Sequence, residues 1–334
     1  MKFSVVNPGG RDRPQSFVNG PGDPGDPVHA PVNFHAYAAC LGGHFLRDER
    51  DVTEGVALLL LRKRNLRRVL SAIKTLRQRG VRVLVSCKET GSHQVADLLS
   101  DVTRWELFRE ICASADAVLT PVSTLDALYK AAGASKIYFV PTPYPMEFPA
   151  WDFSIPLEKR RGIFVGTREF GVPTRNHLAA VAIADTISRS ISCPIAVVNS
   201  EGRRGGMLLK SFQRNNPLFY IVEGPLTYKS YLELMAMHRV VWQLDGSSVP
   251  GQVAGDALLC RMPCLGGNSE IEKVAFPEHC AQNTADDLQS QMIKLLSSDT
   301  GWLASVETSL GLANRHLSFA VVAAQLQELF CSLK

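Results

Sequence analysis

The sequence predicts an α/β protein with two parallel-sheet domains. Two observations carry this prediction: apolar runs of strand length recur along the chain, and amphipathic helical stretches separate them. Alternation of strands and helices is typical of parallel sheets, in which a helix forms each crossover connection. The alternation stops at the proline-rich segment Pro141–Pro145 and resumes at Gly162. We therefore expect one domain at residues 1–155, a second at 156–310, and a C-terminal helical segment at 311–334.

The first half begins with an apolar strand at Lys2–Asn7 and a glycine turn. The stretch Gln15–Pro31 is expected to be a long loop, because its Pro-Gly-Asp repeats disfavour regular structure. An amphipathic helix is predicted at Leu66–Arg79, and Gly80 is a suitable residue to end it. Further strands are predicted at Val56–Leu61, Val81–Ser86, Ala117–Thr120 and Ile137–Val140. His35 and His44 lie in a segment for which no element is predicted.

The second half repeats this alternation of predicted strands and helices. Strands are predicted at Gly162–Val165, Ile195–Asn199, Phe219–Val222, Arg239–Leu244 and Cys264–Leu265. Helices are predicted at Arg175–Ser190, Leu226–Ala236, Gly251–Cys260 and Ala285–Ser297. The tail, Val306–Leu333, keeps one face apolar at helical spacing. Since ligands of parallel α/β domains bind at the carboxyl ends of the strands, candidate site residues are sought there.

Composition excludes several classes of protein. The chain has 334 residues, 46% of them hydrophobic, which is enough to bury two cores. Its net charge of +4 gives no global sign of nucleic-acid or membrane binding. The eight cysteines show no Cys-x-x-Cys pair, so reduced thiols are expected. The N-terminus lacks a signal-peptide core, and no apolar run reaches the ~20 residues that span a bilayer. We expect a cytoplasmic protein.

The stretch Leu244–Glu272 organises the second domain. A predicted strand ends at Leu244, and Pro250-Gly251 then opens a helix. A glycine turn that starts a helix directs free N–H groups and a positive dipole end toward a bound anion such as phosphate. An ordinary turn between a strand and a helix uses the same residue types, so this pattern alone does not distinguish the two.

The whole stretch resembles the nucleotide-sugar half of GT-B glycosyltransferases of the retaining family 4 type. Gly251 takes the place of the family's glycine turn, and Asp256-Ala257 takes the place of its second Glu-Ala. Ser248 stands where the family has its first Glu, and Arg261 stands where it has Gly. Other segments match the family in the same order: Ser114–Pro121, Val140–Pro145, Gly162–Arg168, Val222–Tyr228 and Met262–Cys264.

This resemblance implies two Rossmann-like domains that face a cleft, with the segment 311–334 crossing back to pack on the first domain. It implies a hexosyltransferase-like enzyme that moves a sugar from a UDP- or GDP-linked donor to an acceptor, with retention of configuration. It implies neither a cofactor nor a metal. Ser248 in place of Glu leaves open whether the reaction retains or inverts the configuration.

The resemblance also assigns a donor site to the second domain. Arg168 and Arg175 would clamp the diphosphate, because a guanidinium fork matches phosphate oxygens. Asp256 would accept hydrogen bonds from the ribose hydroxyls. Solvated loop arginines and an acid favoured by the helix dipole are the alternatives. The complete predicted donor set is Gly166, Arg168, Arg175, Gly224, Pro225, Leu226, Ser248, Gly251, Gln252, Val253 and Asp256.

The first domain would supply the acceptor side. Ser86–His93 follows a strand and contains three polar groups able to bind or move a proton: Lys88, Glu89 and His93. They are the catalytic candidates, with a solvated charge or a helix cap as the alternative for each. Gly9, Gly10 and Asp12, in the first glycine turn, are predicted to line the same cleft.

Two basic clusters remain. Arg62–Arg79 is best interpreted as a solvated helix face, although contact with anionic lipid or DNA is open. Arg203, Arg204 and Lys210 are expected in a solvated loop. The acceptor could be a lipid, a glycan, a small molecule or a nucleic acid, and the protein could be peripheral at a membrane. A DNA glycosyltransferase, a sugar-nucleotide epimerase and a non-catalytic nucleotide-sugar binder are the alternative functions.

Overall fold

The computed structural model describes residues 2–26, 30–280 and 283–333 of the chain. The chain divides into two compact units. The first unit comprises Met1–Glu147, Ser248–Pro250 and His316–Lys334, and the second comprises Phe148–Ser247 and Gly251–Arg315. Residues 27–29 of the predicted long loop lie outside the described residues.

The strands of the first unit form one sheet. They are β1 Phe3–Val6, β2 Gln15–Ser16, β3 His44–Leu46, β4 Val56–Leu61, β5 Arg82–Cys87, β6 Ala117–Thr120 and β7 Ile137–Phe139. Their order is β2-β3-β1-β4-β5-β6-β7, and only the short β2 pairs in an antiparallel sense among the described strands. Strand β1 pairs with β3 on one side and with β4 on the other. The switch point of the sheet therefore lies at the carboxyl ends of β1 and β4.

The strands of the second unit form a smaller parallel sheet. They are β8 Ile163–Val165, β9 Ile195–Asn199, β10 Phe219–Glu223, β11 Val240–Trp242 and β12 Cys264–Leu265. Their order, β10-β9-β8-β11-β12, reverses between β8 and β11. Strands buried on both faces are typical of parallel sheets, and β8 and β11 are fully buried. The second switch point therefore lies beyond β8 and β11.

Helices connect the strands of both sheets. They are α1 Phe34–Cys40, α2 Leu66–Gln78, α3 Ser92–Leu98, α4 Val102–Ser114, α5 Asp126–Ala131, α6 His177–Ile191, α7 Gly202–Asn215, α8 Tyr228–Ala236, α9 Gln252–Leu259, α10 Glu270–Ala275, α11 Ala285–Ser297, α12 Asp299–His316 and α13 Phe319–Ser332. The last of them, α13, belongs to the first unit, where Phe330 packs on Phe3 with ring centroids 5.2 Å apart.

The predicted fold class is confirmed, since both sheets consist mainly of parallel strands joined by helices. Two expectations for single segments are wrong. Gln15–Ser16, placed in the long loop, forms β2 beside β3. Arg203, Arg204 and Lys210, placed in a loop, lie on α7.

The glycines near the start of α7 explain why that helix was missed, because glycine lowers helix propensity. A Cβ at Gly205 would lie only 2.3 Å from Asn199 Oδ1, and one at Gly206 would lie 3.3 Å from Asn199 Nδ2. Glycine therefore lets the helix pack directly on the side chain that ends β9. Packing against the sheet outweighs the weak propensity of this segment.

Candidate functional site

The switch point of the second sheet is closely packed where β8 meets the start of α9. Gly251 has a φ of 108°, and a Cβ there would lie 2.2 Å from Ser269 Oγ. At the end of β8, a Cβ on Gly166 would lie 2.3 Å from Val253 Cγ1. Both positions therefore require glycine. This packing brings three of the predicted donor residues, Gly166, Gly251 and Val253, together around the start of α9.

Asp256 is the buried carboxylate of this site, with a relative exposure of 1%. Its Oδ1 accepts a hydrogen bond from the Tyr228 hydroxyl, whereas its buried Oδ2 has no hydrogen-bond partner in the described part of the chain. Burial raises the pKa of Asp256 to about 7, although side-chain hydrogen bonding by Tyr228, the charge of Arg168 and side-chain hydrogen bonding by Gln252 act to lower it. A buried polar atom without a partner is costly in free energy, and it is a natural position for a ligand donor.

Arg168 is close enough to this carboxylate for its charge to lower the pKa of Asp256. Its guanidinium carbon sits 4.9 Å from the ring centroid of Tyr231, in a cation–π contact. Among the described residues, Arg168 makes no ion pair within 4.0 Å. Its charge therefore stays available to an anion, while the aromatic ring fixes its position.

Arg175, the second predicted phosphate ligand, has a different environment. It lies in a short turn, Pro173–Arg175, just before α6. Its guanidinium pairs with Asp245, in the loop after β11, and with Glu169, whose Oε2 is 3.0 Å from Arg175 Nε. Two carboxylates therefore compensate the charge of Arg175. The pairing with Asp245 ties the loop after β8 to the loop after β11.

Further hydrogen bonds hold the loop after β8. Asn176 has a φ of 48°, and its Nδ2 donates to the Leu244 carbonyl at 3.0 Å. His177 Nδ1 lies 2.8 Å from Thr167 Oγ1. Burial lowers the pKa of His177 to about 4, so the imidazole is neutral at physiological pH. The loop that carries Arg168 is thus fixed by contacts with neighbouring elements.

The predicted nucleobase turn, Gly224–Leu226, follows β10. Gly224 has a φ of 86° and is exposed with Pro225, whereas Leu226 is half-buried. Tyr228, two residues further on, donates to Asp256 and so joins this turn to α9. Gln252 is half-buried in the first turn of α9. Ser248 adopts a φ of 51° and is grouped with the first unit.

A second polar cluster lies at the switch point of the first sheet. Asp12 accepts a hydrogen bond from Asn7 Nδ2 at 2.7 Å and pairs with Lys88 Nζ at 3.2 Å. Burial alone would raise the pKa of Asp12, but the Lys88 charge and the hydrogen bonds from Asn7 and Lys88 hold it below its usual value. Asp12 is therefore an anion near neutral pH. Gly10 packs on Asn7, since a Cβ there would lie 2.3 Å from Asn7 Nδ2.

The other candidates of the first unit are not buried in this cluster. Glu89 is exposed, and His93 is exposed on α3 rather than in a loop. Gly9, with a φ of 68°, forms the turn that precedes Asp12. Of the three predicted catalytic side chains, Lys88 is the one that the fold holds against a predicted acceptor-side residue.

Sequence reasoning missed three side chains of the second site: Tyr228, Tyr231 and Asp245. The two tyrosines are three residues apart and therefore share a face of α8. Since α8 packs against α9, that spacing after the Gly224 turn was the available signal. No local signal marks Asp245 as the partner of Arg175, because 70 residues separate them.

The predicted basic region, Arg62–Arg79, is partly neutralised. Lys63 pairs with Asp97 at 2.6 Å, Arg68 with Glu49 at 2.9 Å, and Arg77 with Asp116 at 3.7 Å. The remaining exposed cations of this region include Arg64, Arg67 and Lys74. These contacts fit the interpretation of Arg62–Arg79 as a solvated helix face that contains several ion pairs.

Comparison with known proteins gives matches to solved structures. Neither a protein-family model nor a curated protein matches the chain. The chain is similar to the lipopolysaccharide outer core galactosyltransferase WaaB in its apo form, with a TM-score of 0.63, 9% identity, and 99% of each chain covered. It is equally similar to an alpha-glucosyltransferase in complex with UDP-glucose and DNA containing an abasic site, with a TM-score of 0.63, 9% identity, and 99% of each chain covered.

TarM is a third similar structure, with a TM-score of 0.61 and 10% identity. That match covers 82% of this chain but only 54% of TarM, so the chain corresponds to about half of that protein. In the described ranges, no helix has both the length and the apolar character needed to cross a bilayer. The structural likenesses show that this chain has the α/β fold of the GT-B glycosyltransferases.

Proposed function

We propose that the chain is a hexosyltransferase-like glycosyltransferase that transfers a sugar from a nucleotide-diphosphate donor. The observation that carries the proposal is the buried Oδ2 of Asp256, which has no hydrogen-bond partner among the described residues and whose carboxyl is close enough to Arg168 for that charge to lower its pKa. A carboxylate one turn into a helix, with a cation nearby, suits a ribose, and the N-terminus of that helix suits the diphosphate that follows it. The likeness to solved glycosyltransferases supports the same assignment.

Each part of the donor has a proposed partner. A ribose hydroxyl donates to Asp256 Oδ2, which completes the hydrogen bonding of that oxygen. Arg168 binds the diphosphate, and the free N–H groups at Gly251–Val253 add the positive end of the helix dipole. The base packs on the turn Gly224–Leu226. Arg175 contributes less, because Asp245 and Glu169 already compensate its charge.

Arg168 and the Asp12–Lys88 pair are the side chains proposed to promote the transfer reaction. Cleavage of the bond from the sugar to the phosphate leaves additional negative charge on the diphosphate. Arg168 is held in position by Tyr231, so it stabilises this charge without reorganising during the reaction. The Asp12–Lys88 pair of the first unit is the proposed acceptor-side group, with Lys88 as the cation that orients Asp12. Glu89 and His93 remain predictions as catalytic groups.

The donor site can be tested by thermal shift with UDP, GDP and their hexose conjugates. A ligand that binds the folded state raises the unfolding midpoint by mass action. We expect one nucleotide family to raise the midpoint, and Arg168→Ala and Asp256→Ala to remove that shift. Arg64→Ala, which removes an exposed arginine of the first unit, is the matched control and should keep it. Retention of the full shift by both site variants would disprove the donor-site assignment.

The products formed from a sugar nucleotide distinguish a glycosyltransferase from an epimerase and from a non-catalytic binder. A glycosyltransferase releases nucleoside diphosphate from the bound sugar nucleotide and joins the sugar to an acceptor or to water. An epimerase returns an altered sugar without an acceptor, and a non-catalytic binder returns the donor unchanged. Analysis of the products of the wild-type chain and of Arg168→Ala therefore tests the proposed reaction. The anomeric configuration of the product shows whether the reaction retains or inverts the configuration, a question left open because Ser248 stands where the resembling family has Glu.

A further inference from the structure

Helix α7 presents a strongly basic face to solvent. Arg203, Arg204, Lys210 and Arg214 are all exposed on it, and the helix contains no acidic residue. Within the described part of the chain, none of the four cations has a carboxylate partner within 4.0 Å. The acids at the adjacent strand ends are engaged elsewhere, Glu201 with the Gly171 N–H and Glu223 with Asn199.

The same face exposes apolar side chains between the cations. Met207 is 63% exposed and Leu208 is 37% exposed. Arg203, Met207 and Lys210 are spaced four and three residues apart, so they lie along one stripe of the helix. The opposite face is fixed on the sheet, where Gly205, Gly206 and Leu209 are buried. The helix therefore cannot turn its apolar side chains inward.

We propose that this face of α7 docks on an anionic lipid surface. Cations are attracted to acidic headgroups, and long apolar side chains between them gain free energy by leaving water for the boundary of the acyl chains. A nucleic acid offers phosphates to the cations but no apolar phase to Met207 and Leu208. The aromatic residue of α7, Phe212, is stacked on Phe219 of the sheet and is not presented to bases.

The test is co-sedimentation of the full-length protein with vesicles, either of neutral phosphatidylcholine alone or of an equal mixture with anionic phosphatidylglycerol. We expect the chain to bind the anionic vesicles and not the neutral ones. Since one Lys or Arg near the surface contributes about fivefold to partitioning, Arg203→Gln/Arg204→Gln/Lys210→Gln should weaken binding by about 100-fold. Met207→Ser/Leu208→Ser should also weaken binding, and its effect should persist at raised salt.

Helix α2 supplies a control with the same change of charge. Arg67 and Lys74 on α2 and Arg64 just before it are exposed, but α2 has no large, exposed apolar side chain among its described residues. Their triple substitution with Gln should change vesicle binding by no more than about threefold. Unfolding midpoints and the thermal shift with nucleotide show whether each variant is folded, and they test the donor site separately.

Several results would overturn the proposal. Absence of binding to anionic vesicles would do so, as would equal losses in the two triple variants, which would indicate a general charge effect. Unchanged binding by Met207→Ser/Leu208→Ser would remove the apolar part of the argument. Binding to duplex DNA that requires the α7 cations, in a protein that ignores vesicles, would assign the face to a nucleic acid.

Discussion

Two aspartates at the carboxyl edges of the two sheets have opposite environments. Asp12 lies in a loop of the first unit, and contacts with Lys88 and Asn7 hold its pKa below the usual value. Asp256 lies on α9 in the second unit, where burial raises its pKa to about 7 and Oδ2 has no hydrogen-bond partner in the described part of the chain. The protein already completes the bonding of Asp12, whereas Asp256 still lacks a donor that a ligand could supply.

This difference bears on how each site would work. A carboxylate with a fixed cation partner is stable in the charged form and can orient a neighbouring group, as Asp12 does with Lys88. A buried carboxylate with an orphan oxygen is unfavourable until a donor arrives. The free energy recovered when Asp256 gains that donor would then favour nucleotide binding. The two residues should therefore respond differently to the same substitution.

The largest expected effect is on nucleotide affinity. Asp256→Asn keeps an oxygen for Tyr228 but replaces the orphan oxygen with an amide that cannot accept a hydrogen bond from ribose. Because a hydrogen bond to a charged group is worth about 1.5–3 kcal/mol, we expect UDP or GDP affinity to fall by about tenfold or more. Isothermal titration calorimetry of the preferred nucleotide measures this loss.

Asp12→Asn is the matched control, because the same atom change occurs in the first unit. The proposed contacts to the nucleotide belong to the second unit, apart from Ser248. We expect Asp12→Asn to change nucleotide affinity by less than about twofold, a difference within the usual effect of distant substitutions. Equal losses in the two variants would remove the distinction between the aspartates.

Periodicity and turn chemistry predicted most of the fold from the sequence. The bounds of β4 at Val56–Leu61 and of β9 at Ile195–Asn199 are those expected, because buried parallel strands appear as continuous apolar runs. The strand β3, His44–Leu46, was missed. It is three residues long with only its middle residue buried, so it leaves no apolar run to detect.

The candidate site was less predictable, because its decisive contacts join distant parts of the chain. The motif around Gly251 indicated Asp256, but the hydrogen bond from Tyr228 that leaves one oxygen orphaned depends on the packing of α8 against α9. Arg168 and Arg175 are the same residue type in one loop. Only the fold shows that Asp245 and Glu169 pair with Arg175, while an aromatic ring supports Arg168.

The pH dependence of stability provides a second test of the contrast. The folded-state pKa of Asp256, about 7, lies above the value of 3.8 expected for an unfolded chain. Between these values the folded state binds more protons, so stability falls as pH rises through this range.

Asp256→Asn removes this titration. We therefore expect wild type to lose stability relative to Asp256→Asn between about pH 4 and about pH 8. Asp12 has a lowered pKa, so its contribution is fully present above the unfolded value and is lost as pH falls through the folded value. Asp12→Asn should accordingly cost more stability at neutral than at strongly acidic pH. Unfolding midpoints across this range measure both trends, and parallel trends for the two variants would contradict the assignment.

The smallest expected effect concerns the end of α9, the helix that holds Asp256. Arg261 has a φ of 52° directly after the C-cap, Cys260. Its N–H donates to the Leu258 carbonyl, and the Met262 N–H donates to the Ala257 carbonyl, which is the Schellman arrangement that favours glycine. A side chain in this left-handed conformation costs about 1 kcal/mol. The family that this chain resembles has glycine at this position, and the left-handed backbone conformation explains that choice, because glycine adopts it without this cost.

Arg261→Gly should relieve this strain and lose the half-exposed ion pair with Asp152, which is worth about 0–1 kcal/mol. Arg261→Ala loses the same ion pair but keeps the strain, so the glycine variant should be the more stable by about 1 kcal/mol, or about 2–4 °C in midpoint. Both variants should bind nucleotide like wild type, because they leave Asp256 and Arg168 in place. If Arg261→Gly lowered nucleotide affinity, the state of Asp256 would depend on the C-terminal end of α9, and burial alone would not explain its difference from Asp12.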